Sequence, residues 1–145
     1  MEHDPYNLNR FITAQEGLFE NVLTELKNGR KQTHWMWFIF PQIDGLGFSS
    51  TTKYYAIKNL EEARQYLTHP VLGARLLQCS QLVLAVEGKS AHNIFGSPDD
   101  MKLKSCMTLF TQVAGPDSVF ASVLEKYFHG KPDEKTISLL GAVAK

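Results

Sequence analysis

Thr33-His34-Trp35-Met36-Trp37-Phe38-Ile39-Phe40-Pro41-Gln42 contains both tryptophans of the chain, with two phenylalanines, a methionine and an isoleucine. A run this aromatic is either packed into a core or wrapped on a ligand, since each large ring buries on the order of 150–250 Å². It shows no clean period, so a short buried helix and an extended segment both fit. Pro41 ends it in either case, because the residue ahead of a proline is pushed out of the helical region. Polar residues bound the run: Arg30-Lys31-Gln32 precede it, and Gln42 opens a loop containing Asp44-Gly45-Leu46-Gly47.

The sequence on either side is periodic. Upstream, Leu8, Phe11, Ile12, Leu18, Phe19, Val22, Leu23 and Leu26 recur at three- and four-residue steps. That stripe predicts one amphipathic helix, capped by Asp4 with Pro5 in its first turn and stopped by Asn28-Gly29. Downstream, Ser49, Ser50 or Thr51 caps a short helix through Ile57, and Asn59 followed by Glu61 and Glu62 opens another. Pro70 starts a helix running to about Glu87 and Gly88, and Ser90 caps a short turn closed by Gly96. Ser97-Pro98-Asp99-Asp100 starts a further helix that ends at Gly115. Pro116-Asp117 and Asp133 or Thr136 begin the last two. With no alternating run of strand length, the pattern predicts an all-α fold: a compact single domain over residues 1–145, about six to eight helices with short loops.

Length and composition agree. A chain of 145 residues buries roughly two-thirds of its unfolded surface. Hydrophobic residues at 43% and charged residues at 21% describe a globular chain, not a disordered one. Fifteen basic residues balance fifteen acidic ones, so the positive field of a nucleic-acid binder is missing and no nucleic-acid partner is expected. Apolar runs reach only about six residues, against the roughly 20 needed to span a bilayer, and the start Met1-Glu2-His3-Asp4-Pro5 lacks a signal-peptide pattern. Cys79 and Cys106 are too few for a disulfide framework and read as buried thiols of a cytoplasmic protein.

Candidate chemistry clusters around the aromatic run. Trp35 and Trp37 are either the hub of the core or a stacking wall for a planar ligand, with His34 and Gln42 as polar contacts. His34 is either a general acid or base or a neutral ring bonded to a backbone carbonyl. The loop from Gly45 to Lys53 suits an anion, since glycines allow close approach and Ser50 and Lys53 offer donors. It lacks the phosphate-loop spacing, however, and reads equally as a connector. Arg30 or Lys31 can approach the same place from the other side. Asp99 and Asp100 are a catalytic carboxylate pair, metal ligands, or simply first-turn helix carboxylates. No histidine or cysteine spacing suggests a metal site, and no dinucleotide fingerprint suggests a cofactor.

Several motifs together resemble a known family. They include Asp4-Pro5, Arg10-Phe11, Gln15, the run His34 to Gln42, Gly45-Leu46-Gly47 and Tyr55-Ala56-Ile57. His69-Pro70-Val71-Leu72-Gly73, Ile94-Phe95-Gly96, Pro98-Asp99-Asp100 and Thr108-Leu109-Phe110 continue it. The chain resembles a bacterial family of uncharacterised proteins, the domain of unknown function numbered 1810, whose members often carry the label calpastatin. The resemblance implies a compact, mainly helical domain and brings no reaction or catalytic residues. The label is misleading, because the calpain inhibitor of that name is a disordered repeat protein and this chain is apolar and unrepeated.

Two functions are expected from these residues. One is a site for a small anionic ligand, nucleotide-like or a sugar phosphate, with hydrolysis as its enzymatic form. There His34 and Asp100 are catalytic, and Trp35, Trp37, Gln42, Ser50 and Lys53 bind. The other is a protein-interaction or homo-oligomerisation module whose aromatics form an interface.

Overall fold

The computed structural model describes residues 4–143. Among these residues the only β pairing is one parallel bridge between Ile43 and Ile57. The helices are α1 Asn9–Gln15, α2 Phe19–Lys27, α3 Met36–Ile39, α4 Ser50–Tyr54, α5 Leu60–Thr68, α6 Leu72–Ala85, α7 Ala91–Phe95, α8 Asp99–Ala114, α9 Val119–Phe128 and α10 Glu134–Val143. No helix among the described residues is long and apolar enough to cross a membrane.

The all-α expectation holds, but the described residues form ten helices where six to eight were expected. The stripe from Leu8 to Leu26 accounts for one of the extra helices. It is interrupted at Glu16-Gly17-Leu18, where Gly17 takes φ +76°, so one expected helix becomes α1 and α2. The seven-residue register is kept across the break (Phe11 to Leu18, Ile12 to Phe19), which is what reads as one stripe, but the six-residue gap from Ile12 to Leu18 with Gly17 inside it marks the turn. Asp4 is not the N-cap, which is Leu8. Its carboxylate reaches the helix start from four residues ahead and accepts from the amides of Leu8 at 2.7 Å and Asn9 at 3.1 Å, while Pro5 lies in a turn before the helix. The downstream stops also move inward, α6 ending at Ala85 and not at Gly88.

α8 is the central helix. Leu103, Cys106, Met107, Leu109 and Phe110 are all fully buried, and Ser105 and Thr108 are buried with them. A helix apolar around most of its circumference belongs inside. α8 packs against α5, α7, α9 and α10, while α6 packs against α2, α5 and α9. The α5–α6 turn is tight because Gly73 lies against the Leu67 carbonyl, where a Cβ would collide with backbone. Cys79 and Cys106 are free and buried, and burial pushes the Cys79 thiol up to about 12 and that of Cys106 up as well.

One buried ion pair ties α1 to the centre of the chain. The Arg10 guanidinium donates to a Glu62 carboxylate oxygen at 2.8 Å and to the carbonyls of Tyr54 at 2.7 Å and Ala56 at 2.9 Å. It also takes up the Tyr6 and Asn7 carbonyls. Glu62 uses its other oxygen on the Lys58 amide. Both charges are out of water, so removing one leaves the other buried without its partner. Arg10→Ala is expected to lower unfolding free energy by about 3–5 kcal/mol in urea denaturation; a loss below about 1 kcal/mol would mean that the pair is incidental.

Candidate functional site

The aromatic run is positioned by a carboxylate ten residues upstream. α2 ends in a Schellman turn: Gly29, at φ +66°, donates to the Leu26 carbonyl and Arg30 to that of Glu25, each at 3.0 Å. That reversal folds Gln32 and Thr33 back over the Glu25 side chain. Glu25 Oε1 accepts from the amides of Gln32 at 2.6 Å and Thr33 at 3.0 Å, and from the Trp35 indole N–H at 3.0 Å. Its Oε2 accepts from the Thr33 hydroxyl at 2.7 Å. Burial alone pushes the Glu25 carboxyl up, but these four donors outweigh it and hold the group below its ordinary value of 4.5.

So fixed, Trp35 is buried against Phe40 and Phe95. Met36, Phe38 and Ile39 follow it into the core, leaving Trp37 half-buried at the surface. The Lys31 amide donates to the Ile94 carbonyl at 2.8 Å, which stitches the strand-like approach of this segment to α7. Beside it opens a cleft of about 280 Å³, lined by Lys31, His34, Trp35, Trp37, Asp99 and Lys102 over a base of Met36 and Ser97-Pro98. Two ammonium groups share one carboxylate there. Lys31 meets Asp99 Oδ2 at 2.9 Å, and Lys102 meets Oδ1 at 3.3 Å. Lys31 also donates to the Thr33 carbonyl at 2.6 Å and lies 5.0 Å from the centre of the Trp35 ring; Lys102 lies 4.9 Å from that of Trp37.

The expected site residues divide into three groups. His34, Trp35 and Trp37 do converge on the cleft, with His34 exposed at its rim. Trp35 serves chiefly the core, so of the two rings Trp37 is the available wall. Gln42 lies in a narrow crevice with Trp37, Ile43 and Tyr55. Its carbonyl accepts from Ile57 as part of the single bridge. Ser50 lines a shallow groove of about 500 Å³ that also includes Trp37. Lys53 is exposed and lies outside both, and the Ser49 hydroxyl at the start of α4 takes up the Thr52 amide. Asp100 lies outside the cleft and faces His92 at 3.6 Å. From the sequence Asp99 reads as one of a carboxylate pair or as a first-turn helix carboxylate, and Lys102 as a residue that pairs locally on its helix, which its contact with Asp99 bears out. Their i, i+3 spacing at a helix start was the readable signal that they act together.

A larger groove, of about 590 Å³, lies between α1 and the α5–α6 turn. Its two ionisable groups are occupied at helix starts. Asp4 takes up amides at the start of α1 as described, and His69 Nδ1 accepts from the amides of Val71 at 3.1 Å and Leu72 at 3.2 Å. The smaller cleft, where ammonium groups retain donors, is therefore the better candidate.

The chain belongs to the family described as protein of unknown function (DUF1810), whose family model matches residues 5–140. The family named from the motifs is thus the right one. The fold is similar to that of the conserved hypothetical protein Rv1873 from Mycobacterium tuberculosis. The two are 48% identical, with 95% of this chain and 99% of that chain covered and a TM-score of 0.93. No curated protein matches the chain.

Because the folded Glu25 carboxyl is below its unfolded value, it contributes stability that is fully present above about pH 4.5 and lost as pH falls through the lower folded value. Glu25→Gln puts an amide N–H among donors and is expected to cost about 1–3 kcal/mol at neutral pH. It should also flatten this acid-side slope in urea titrations between pH 3 and 7, approximately. An unchanged slope would show that Glu25 does not hold the turn.

Proposed function

We propose that this protein binds a small phosphorylated compound, nucleotide-like or a sugar phosphate, in the cleft between the aromatic run and the start of α8. The observation that carries this reading is the pair of lysines on one carboxylate. Among the lining residues, Lys31 and Lys102 bring two positive charges against the single negative charge of Asp99. An ammonium has three donors. Lys31 commits one of them as a hydrogen bond, to the Thr33 carbonyl, while both ammonium groups meet Asp99 as ion pairs. Donors therefore remain for a ligand oxygen. The positive end of the long helix α8 lies at the same place and favours an anion further. Trp37 is half-buried with the Lys102 ammonium over its ring, and the ring surface that Lys102 leaves uncovered is the natural wall for a flat group attached to that anion.

Hydrolysis is the enzymatic form of this reading, since it needs only water as co-reactant. His34 at the rim is the imidazole of the cleft, and a ring nitrogen placed to give or take a proton is what the acid–base role needs. Asp100 is held outside the cleft and is not needed for that role.

Thermal and urea unfolding with inorganic phosphate, sugar phosphates and nucleoside monophosphates checks the proposal. A true ligand at a hundredfold excess over its Kd is expected to stabilise the protein by about 2.7 kcal/mol. Lys102→Ala should remove most of that gain, whereas His34→Gln should keep binding and abolish turnover. No stabilisation by any of these compounds would contradict the reading.

A further inference from the structure

Trp37 has a second open side. Besides walling the cleft, it borders the groove of about 500 Å³ formed with Phe38, Ser50, Thr51, Tyr54 and Tyr55. Four aromatic rings meet around this groove, and Tyr54 and Tyr55 lie edge to face with centroids 4.8 Å apart. Phe38 and Tyr55 follow at 5.5 Å. Tyr54 is 54% exposed, yet its backbone is fixed, because buried Arg10 holds the Tyr54 and Ala56 carbonyls. A large exposed ring on a rigidly anchored backbone is a pre-organised surface: little ordering is left to be done when something stacks on it. The hydroxyls of Ser50 and Thr51 sit at the edge of the same groove.

We infer that the groove between α3 and α4 is the base subsite of a two-part site, so that the ligand is a nucleotide whose phosphate sits at Lys31 and Lys102 and whose nucleobase lies beyond Trp37 against Tyr54. The inference rests on the cleft reading above and adds what that reading leaves open, the identity of the uncharged part. A planar base matches a groove walled by rings, because base–aromatic stacking needs only a π-face and tolerates any base. The hydroxyls offer donors and acceptors to its edge. The charge distribution supports the same division. The ammonium groups lie on the cleft side of Trp37, and no charged side chain lines the groove.

The experiment is calorimetric titration of the full chain with inorganic phosphate, ribose 5-phosphate and adenosine monophosphate, in the parent protein and in Tyr54→Ala, Thr51→Trp and Lys102→Ala. Adenosine monophosphate should bind at least about tenfold more tightly than the two compounds without a base. Tyr54→Ala, which shortens the stacking wall, and Thr51→Trp, which fills the groove, should each remove that advantage and leave phosphate affinity unchanged. Unchanged phosphate affinity also shows that both variants are folded. Lys102→Ala should weaken all three compounds. If phosphate and adenosine monophosphate bind equally and the groove variants change neither, the base subsite is wrong while the cleft stands. If ribose 5-phosphate matches adenosine monophosphate, the second part is a sugar and the inference is overturned in that form. If nothing binds, the cleft reading falls and this inference falls with it.

Discussion

The Glu25 carboxylate is the constraint on which the rest of this structure depends. It sits in the last turn of α2, buried, and gathers four donors from the segment that follows the helix end. A carboxylate taken out of water is costly unless its lone pairs are filled, and here the filling comes from two successive amides, a hydroxyl and an indole. The consequence is directional. Once Gln32, Thr33 and Trp35 are bound to one side chain, the tryptophan must point inward, and the helical turn of α3 then decides which later rings go with it. Met36, Phe38 and Ile39 enter the core, and Trp37 is left at the boundary.

The same constraint explains why the cleft is charged. Lys31 lies just ahead of the segment Glu25 fixes, so its ammonium is delivered to the first turn of α8, where Asp99 waits at 2.9 Å. On the other side of Trp37, Arg10 and Glu62 do for α4 what Glu25 does for α3. A buried guanidinium collects carbonyls from Tyr54 and Ala56 and thereby sets the far wall. Two satisfied buried networks, Glu25 with its four donors and the Arg10–Glu62 pair, thus flank one half-exposed indole. Fully satisfied polar networks of this kind rigidify a local conformation more than they add net stability, which is what a preformed site requires.

Much of this was legible beforehand, for specific reasons. α6, α8 and α9 follow from apolar periodicity, and the Ser90 and Asp133 starts are borne out by side-chain caps on Asn93 and Thr136. The aromatic run was readable as a place where core and surface meet, because it lacked the period of its neighbours. The break at Gly17 was masked by the seven-residue register that carries across it, although the gap from Ile12 to Leu18 with a glycine inside it was the signal that marks it. Glu25 was equally opaque: a glutamate among helical residues looks like a solvated face until the chain folds back on it. The pairing of Lys31 with Asp99 joins distant parts of the chain, and no local pattern encodes that. Lys53 and Asp100 attracted attention through their neighbourhood in sequence, whereas the site is assembled by neighbourhood in space.

The central claim is that one half-exposed tryptophan, set by Glu25, separates an anion seat from a ring seat. A crystal structure of the protein with adenosine monophosphate measures this directly. The account predicts density for the phosphate within hydrogen-bond reach of Lys31 and Lys102, and for the base between Trp37 and Tyr54. Density for the nucleotide in the groove between Asp4 and His69, or phosphate density anywhere other than beside the two lysines, would contradict it.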